Sequence, residues 1–207
     1  MKNFLAVDTS GKYMSVVASK DGNAVFTFLP DCTMKHSVLI MQAIDETLNK
    51  AKMTLNDCDF FGAVVGAGSF TGIRIGISAI KGFCLAQEKP SLAITSFDVM
   101  AYNAIEERKI LCLVDALHGY YYACGYENGE VVFAPAYVSE EEVLALKEQG
   151  YTLVSTEKLD LQTKIVSPID GLHGATVALA KKGAFGELDA LYIRKSSAEL
   201  NAGATTK

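Results

Sequence analysis

The run Gly66-Ala67-Gly68-Ser69-Phe70-Thr71-Gly72-Ile73-Arg74-Ile75-Gly76 has the residue types and spacing of a ligand-cradling loop. It lies between a short apolar run, Phe60 to Val65, that reads as a buried strand and a helical pattern from Gly72 to Gln87. Glycines such as Gly66 and Gly68 permit close approach to the backbone, and the unpaired amides of a helix start attract phosphate. Ser69 and Thr71 could add hydroxyl donors. No Lys-Ser/Thr pair closes the run, so it is not a P-loop, and its glycines do not follow the dinucleotide spacing. The same residues equally fit a tight strand-to-helix turn whose glycines serve packing. A second candidate is Asp8 with Thr9 and Ser10, at the end of the first strand-like run, Phe4 to Val7. A carboxylate there can face a phosphate or metal-phosphate, or simply cap a turn. Asp115 stands at the corresponding place in the second half of the chain.

Other chemistry is poorly supported by the residues. A chelating histidine pair one helical turn apart would need a second imidazole four residues after His36, and Ile40 stands there. His118 and His173 are distant in sequence, so His36 reads as a helix-start residue hydrogen-bonded locally. Three histidines assemble no Ser-His-Asp or Cys-His set. No catalytic residue and no metal site are therefore assigned. The five cysteines (Cys32, Cys58, Cys84, Cys112, Cys124) are widely spaced and form no CxxC, which fits free thiols in a reducing cytoplasm. Tyr120-Tyr121-Tyr122 reads as a strand of alternating exposure rather than a stacking platform.

These residues need a scaffold, and 207 residues that are 50% hydrophobic can build a sizeable core. The expected elements are strands at Phe4 to Val7, Met14 to Ala18 and Ala24 to Leu29, with Asp21-Gly22 as a hairpin turn. A helix from His36 to Lys52 follows, with Ile40, Ile44, Leu48 and Ala51 on one face. Next come the strand at Phe60, the helix from Gly72, a strand at Leu92 to Thr95, and a helix capped by Ser96 and running to about Ile105. The order then restarts: Ile110 to Val114, Tyr120 to Gly125, an Asn128-Gly129 turn, and Val131 to Phe133. A capping box at Ser139 and Glu142 opens a helix through Gln149. Short strands at Thr152 to Val154 and Lys164 to Val166 follow, then a helix from Thr176 to Lys182 stopped by Gly183. Each half reads as three strands, then helix, strand, helix, with the boundary near Glu106 to Lys109. That pattern implies α/β halves, 1–105 and 106–207, each a sheet covered by helices.

Net charge is −5 with only three arginines (Arg74, Arg108, Arg194), so the chain is not built to grip RNA by itself. The N-terminus lacks the layout of a signal peptide, no apolar stretch reaches about 18 residues, and the segment from Asn201 to Lys207 is small and polar. A soluble cytoplasmic protein with no membrane contact is expected.

The glycine-rich run is similar to the Gly-Pro-Gly-Ser-Phe-Thr-Gly-apolar-Arg-apolar-Gly signature of the TsaB (YeaZ) family, with Ala67 in place of the proline. Ala6-Val7-Asp8-Thr9-Ser10, His36-Ser37, Asp115-Ala116, Leu191-Tyr192-Ile193-Arg194 and Ala198-Glu199 match further pieces. The likeness spans the whole length and weakens in the second half, where Leu117 stands at a place that is often Arg. The resemblance implies an actin/Hsp70-like (ASKHA) fold, two RNase H-like halves with a shortened second domain. It also implies a non-catalytic scaffold subunit that pairs with TsaD, the catalytic relative, and with the ATPase TsaE, and that forms homodimers when alone. The assembly would form threonylcarbamoyladenosine beside the anticodon of tRNAs reading codons that begin with A. This chain would meet tRNA only indirectly and require no cofactor, with ATP or ADP held at the partner junction.

The two N-terminal helices carry apolar residues all round, and an element of that kind must be covered on each side. With the resemblance in view, Leu39, Met41, Ala43, Ile73, Gly76, Ile77, Ile80 and Cys84 are expected to meet the partner. Gly72, Gly76, Ala79 and Gly82 would permit close helix approach. The competing enzyme reading is a small kinase or ATPase of the same fold using Asp8 and the 66–76 run. Against it stands the absence of a substrate-binding insertion. A metalloprotease-like hydrolase is a third reading, and the missing histidine pair argues against it.

Overall fold

A computed structural model of the chain describes residues 2–104 and 106–194. Ile105, Ala198-Glu199 and the 201–207 segment lie outside the described residues. Apolar residues on both faces make β1 (Phe4–Asp8) a central strand, buried at every position. It pairs antiparallel with β2 (Met14–Lys20), which pairs antiparallel with β3 (Asn23–Leu29). Asp21 and Gly22 both take positive φ, 52° and 86°, the backbone an Asp-Gly hairpin turn requires. On its other side β1 pairs parallel with β4 (Phe60–Val64), and β4 with β5 (Ser91–Ile94). The sheet order is β3-β2-β1-β4-β5. Helices α1 (His36–Lys50) and α2 (Phe70–Gln87) make the crossovers.

The second half repeats the plan. β6 (Lys109–Asp115) pairs antiparallel with β7 (Tyr120–Glu127), and β7 with β8 (Glu130–Ser139). β6 also pairs parallel with β9 (Thr152–Ser155), and β9 with β10 (Lys164–Ile165). The order β8-β7-β6-β9-β10 is the first sheet's topology over again. Helix α4 (Glu140–Glu148) joins β8 to β9, with the expected Ser139–Glu142 capping box in place. Two such RNase H-like halves make up the actin/Hsp70-like fold. The expected helix–strand–helix order of the second half needs correction, because β9 runs to β10 with no helix between them. The counterpart of α2 is what the second half lacks.

The halves exchange helices. α3 (Ser96–Ala101) leaves the first sheet and packs on the second, where Phe97 and Met100 join Ile110, Cys112, Cys124 and Tyr126. α5 (Pro168–Lys181) follows the second sheet and covers the back of the first, with Leu172 and Ala175 against Phe4, Val17, Phe60 and Leu92. α5 begins eight residues before the expected start at Thr176. Ser167 caps it and Pro168 fills its first turn. Its glycines, which weaken a helix in isolation, are there for packing: a Cβ on Gly171 would fall well inside contact distance of the Val99 carbonyl oxygen of α3. The cap of α3 is likewise Thr95, not Ser96. Asp98, three residues on, completes the capping box with Thr95 and frees Ser96 for other bonds.

α1 and α2 lie on the front of the first sheet and change the expected partner surface. Ala43, Ile73, Ile77 and Ile80 are buried against Leu5, Val7, Val16 and Phe61, and Gly76 is buried beside Thr9. These five face the chain's own sheet, because a helix apolar all round turns its densest stripe to the largest apolar surface available. Leu39 and Cys84 are half-buried, and Met41 is exposed. Among the described residues no helix is long and apolar enough to cross a membrane.

Candidate functional site

A cleft of about 680 Å³ opens between the two sheets, at the ends of β1 and β6. Strand β1 stops at Asp8, whose carboxyl is fully buried beneath the cleft-lining Ser10 and Tyr13. Its Oδ1 accepts from the Ser10 amide at 2.8 Å and the Ser10 hydroxyl at 2.7 Å. Its Oδ2 accepts from the Tyr13 hydroxyl at 3.1 Å. Burial pushes the Asp8 carboxyl above its usual range despite these three bonds, and Glu157 across the cleft adds to the rise. Burial, together with the charge of Asp8, likewise holds the Tyr13 phenol well above its ordinary value.

The glycine-rich run is bound to that strand end, and its residues 67–72 line the cleft. Ser69 caps α2 by accepting from the Gly72 amide at 3.2 Å, and its own amide donates to the Ser10 carbonyl at 2.7 Å. The Thr9 hydroxyl donates to the Gly72 carbonyl at 2.7 Å. A side chain on Gly68 or Gly72 would overlap the Ser10 or Thr9 carbonyl. Gly66 takes φ +121°, and its carbonyl accepts from the Ser96 amide. The Ser96 hydroxyl donates to the Ala67 carbonyl and lies 3.2 Å from the Ser10 hydroxyl. The candidate phosphate residues Asp8, Thr9, Ser10, Gly66, Gly68 and Ser69 lie together around this strand end. The Thr9 and Ser10 hydroxyls donate to internal acceptors, the exposed Ser69 hydroxyl accepts from the Gly72 amide at the cleft, and Gly68 and Gly72 serve close packing. Thr71, exposed on the first turn of α2, also lines the cleft.

Across the cleft stand residues that the linear reading passed over. Glu157 accepts the Lys12 amide at 2.6 Å and pairs with the Lys12 ammonium at 3.8 Å, and Thr156 lies 3.4 Å from the Tyr13 hydroxyl. Asp115, the counterpart of Asp8, is exposed and accepts the Leu117 amide at 2.8 Å, an Asx turn. His36 is buried, with Nε2 2.9 Å from the Tyr13 carbonyl oxygen, while Ile40 lies in the core. The arrangement builds a stiff floor that ties the two halves together at the Tyr13–Thr156 and Lys12–Glu157 contacts. Near the rim, Arg74 lies over Phe70 at 3.8 Å and donates to the Tyr192 hydroxyl at 2.8 Å, which fastens the 191–194 segment to α2.

On and beside α1 and α2, some of them at the cleft's mouth, several large apolar side chains are exposed. Met34 is 92% exposed, Val38 76%, Leu85 84%, Met41 48% and Phe70 40%, all on or beside α1 and α2. Cys84 and Leu39 lie half-buried near them.

Residues 28–183 match the model of the TsaD family, described as tRNA N6-adenosine threonylcarbamoyltransferase. The tRNA threonylcarbamoyladenosine biosynthesis protein TsaB of Escherichia coli (strain K12) is 31% identical over 131 residues, 61% of this chain and 55% of that protein. TsaB of Buchnera aphidicola subsp. Schizaphis graminum (strain Sg) is 31% identical over 121 residues, 57% of each chain. The match thus spans little more than half the length of these curated relatives. In three dimensions the chain resembles a Pseudomonas aeruginosa protein described as similar to peptidase YEAZ. The TM-score is 0.79 at 20% identity, over 94% of this chain and 100% of that one. At that identity the likeness bears on fold alone.

Proposed function

The chain belongs to the tRNA N6-adenosine threonylcarbamoyltransferase (TsaD) family, and from that premise we propose that it is a TsaB-type partner subunit in threonylcarbamoyladenosine synthesis on tRNA. In this reading it performs no chemistry itself. It holds a TsaD-type catalytic subunit, acts with a TsaE-type ATPase, and pairs with a second copy when alone. It needs no cofactor of its own, with ATP or ADP at the junction with the partner and most of the RNA held elsewhere.

The observation that carries the reading is the exposure of Met34, Val38, Met41, Phe70 and Leu85 on or beside two neighbouring helices. A solvated helix face places charge at such positions, and large apolar groups left exposed on neighbouring helices support an interaction surface. The cleft adds support in a different way. Its buried carboxyl and hydroxyls are already satisfied internally, as suits a floor that positions a neighbour's chemistry.

The test is association. Val38→Glu with Met41→Glu puts two unpaired carboxylates into the contact. It is expected to weaken co-purification with a TsaD homologue at least a hundredfold, in line with about 3–5 kcal/mol for a buried uncompensated charge. The circular dichroism of the variant should match that of the parent, since both positions are exposed. Undiminished association of the double variant rejects the surface. Equal tRNA modification by TsaD and TsaE with and without this chain rejects the function.

A further inference from the structure

The second half carries a column of stacked rings that the partner reading does not use. Tyr120 and Tyr122 point to one face of β7, and Tyr137 lies directly across from Tyr122 on β8. The Tyr120 and Tyr137 rings stack at 4.7 Å between centroids and 4° between planes, with Tyr122 tilted against Tyr137 at 5.9 Å. The guanidinium of Arg194 lies 5.1 Å from the Tyr137 centroid, and its Nη1 donates to the Tyr137 hydroxyl at 3.1 Å. One of only three arginines in the chain therefore sits at this column. Tyr120, at the other end, is 40% exposed. Tyr122 lines the cleft between the halves, so the column stands at the cleft's rim.

From this geometry we infer that Tyr120, Tyr137 and Arg194 form a nucleobase-stacking site. Two parallel rings ending in an accessible face offer the next place in the stack to another flat π-system. A base meets that requirement whatever its sequence, because every base has a π-face. Arg194, at the opposite end of the column, fixes the Tyr137 ring through its hydrogen bond and cation–π contact and so stiffens the platform on which Tyr120 rests. The exposed end of the column has room for one base, and a net charge of −5 gives the chain no overall cationic pull on a long backbone. The source of the base is either a free nucleotide in the cleft or an unstacked base of bound RNA. The sequence reading of Tyr120-Tyr121-Tyr122 as alternation without a platform is right about the alternation, since Tyr121 is buried on the opposite face. It could not include Tyr137, which only strand pairing delivers. The RNA arm rests on the proposed function; the stacking itself does not.

The chain contains no tryptophan, so Tyr120→Trp gives a single fluorescent reporter at the exposed end of the column. Adenosine 5′-monophosphate and a ten-residue oligoadenylate should each quench that emission, while ribose 5-phosphate should not. Quenching by the oligonucleotide at nucleotide concentrations tenfold or more below those of the monophosphate, weakening with salt, identifies RNA as the source. Equal potency identifies free nucleotide. In direct binding of labelled oligoadenylate, Tyr120→Ala should weaken affinity roughly 5- to 100-fold, the range for loss of one stacked base. Tyr120→Phe keeps the ring and should stay within about threefold of the parent, which separates stacking from loss of structure. No quenching by either base-bearing probe overturns the site, as does quenching unchanged in a Tyr137→Ala background. Co-purification of the Tyr120→Ala variant with a TsaD homologue is expected to match the parent. Failure of the parent to associate would therefore sink the subunit assignment and leave the fluorescence result standing.

Discussion

Asp8 is the residue on which the cleft floor turns, and its protonation is linked to folding. Burial raises its folded-state value above that of the unfolded chain, against the bonds from Ser10 and Tyr13. Below the ordinary aspartate range both states hold the proton and the group costs nothing. As pH climbs from that range through the raised value, the unfolded chain ionises first, so this group's contribution to stability is lost over that window. Asp8→Asn removes the titration while keeping an oxygen for Ser10 and gaining a donor for the Tyr13 hydroxyl. Melting temperatures of parent and variant should diverge in the variant's favour as pH rises above the ordinary aspartate range, and parallel curves would refute the assignment. Little of this was readable from sequence. Asp8-Thr9-Ser10 could be singled out because strand ends in α/β proteins face crevices. Its partners Tyr13, Ser96, Thr156 and Glu157 carry no local signal, and two of them come from the other half of the chain.

At the scale of the element, local rules worked where the deciding contacts were local. Asp21-Gly22, Asn128-Gly129 and the Ser139–Glu142 box fixed two hairpins and a helix start, because turn and cap chemistry involves residues within four positions of each other. They failed where the deciding contact lay far away. Gly171 and Gly174 argue against a helix locally, yet α5 runs through both, because α3 presses against it there. The glycines of the two helices can be told apart by experiment. Gly171→Ala drives a methyl into the Val99 carbonyl and should destabilise the protein by about 1–3 kcal/mol in urea titrations. Gly82→Ala, with nothing within 4 Å of the new methyl, should stabilise α2 by about 0.5–1 kcal/mol. A destabilised Gly82 variant or a neutral Gly171 variant would contradict the packing described. The same distance effect explains the inward turn of Ile73, Ile77 and Ile80. Periodicity reports how much of a helix is apolar; the sheet beneath decides which part stays dry.

For the whole molecule, duplicated topology did not produce two independent bodies. Each sheet is closed by a helix from across the boundary, α5 on the first and α3 on the second. Unfolding by urea should therefore be a single transition, with far-ultraviolet circular dichroism and tyrosine fluorescence coincident. Two separated transitions would show that the helix exchange contributes little. The exchange also sets a schedule for synthesis. The strands of the first sheet are complete once Ile94 is made, yet Phe4, Phe60 and Leu92 remain uncovered until Lys181 ends α5. The ribosome must add roughly 90 residues in between, which at about 5–20 residues per second leaves the nascent sheet bare for on the order of ten seconds. A chain arranged in this way offers an oily strand surface to chaperones early in its life, and its first half becomes native only when α5 arrives.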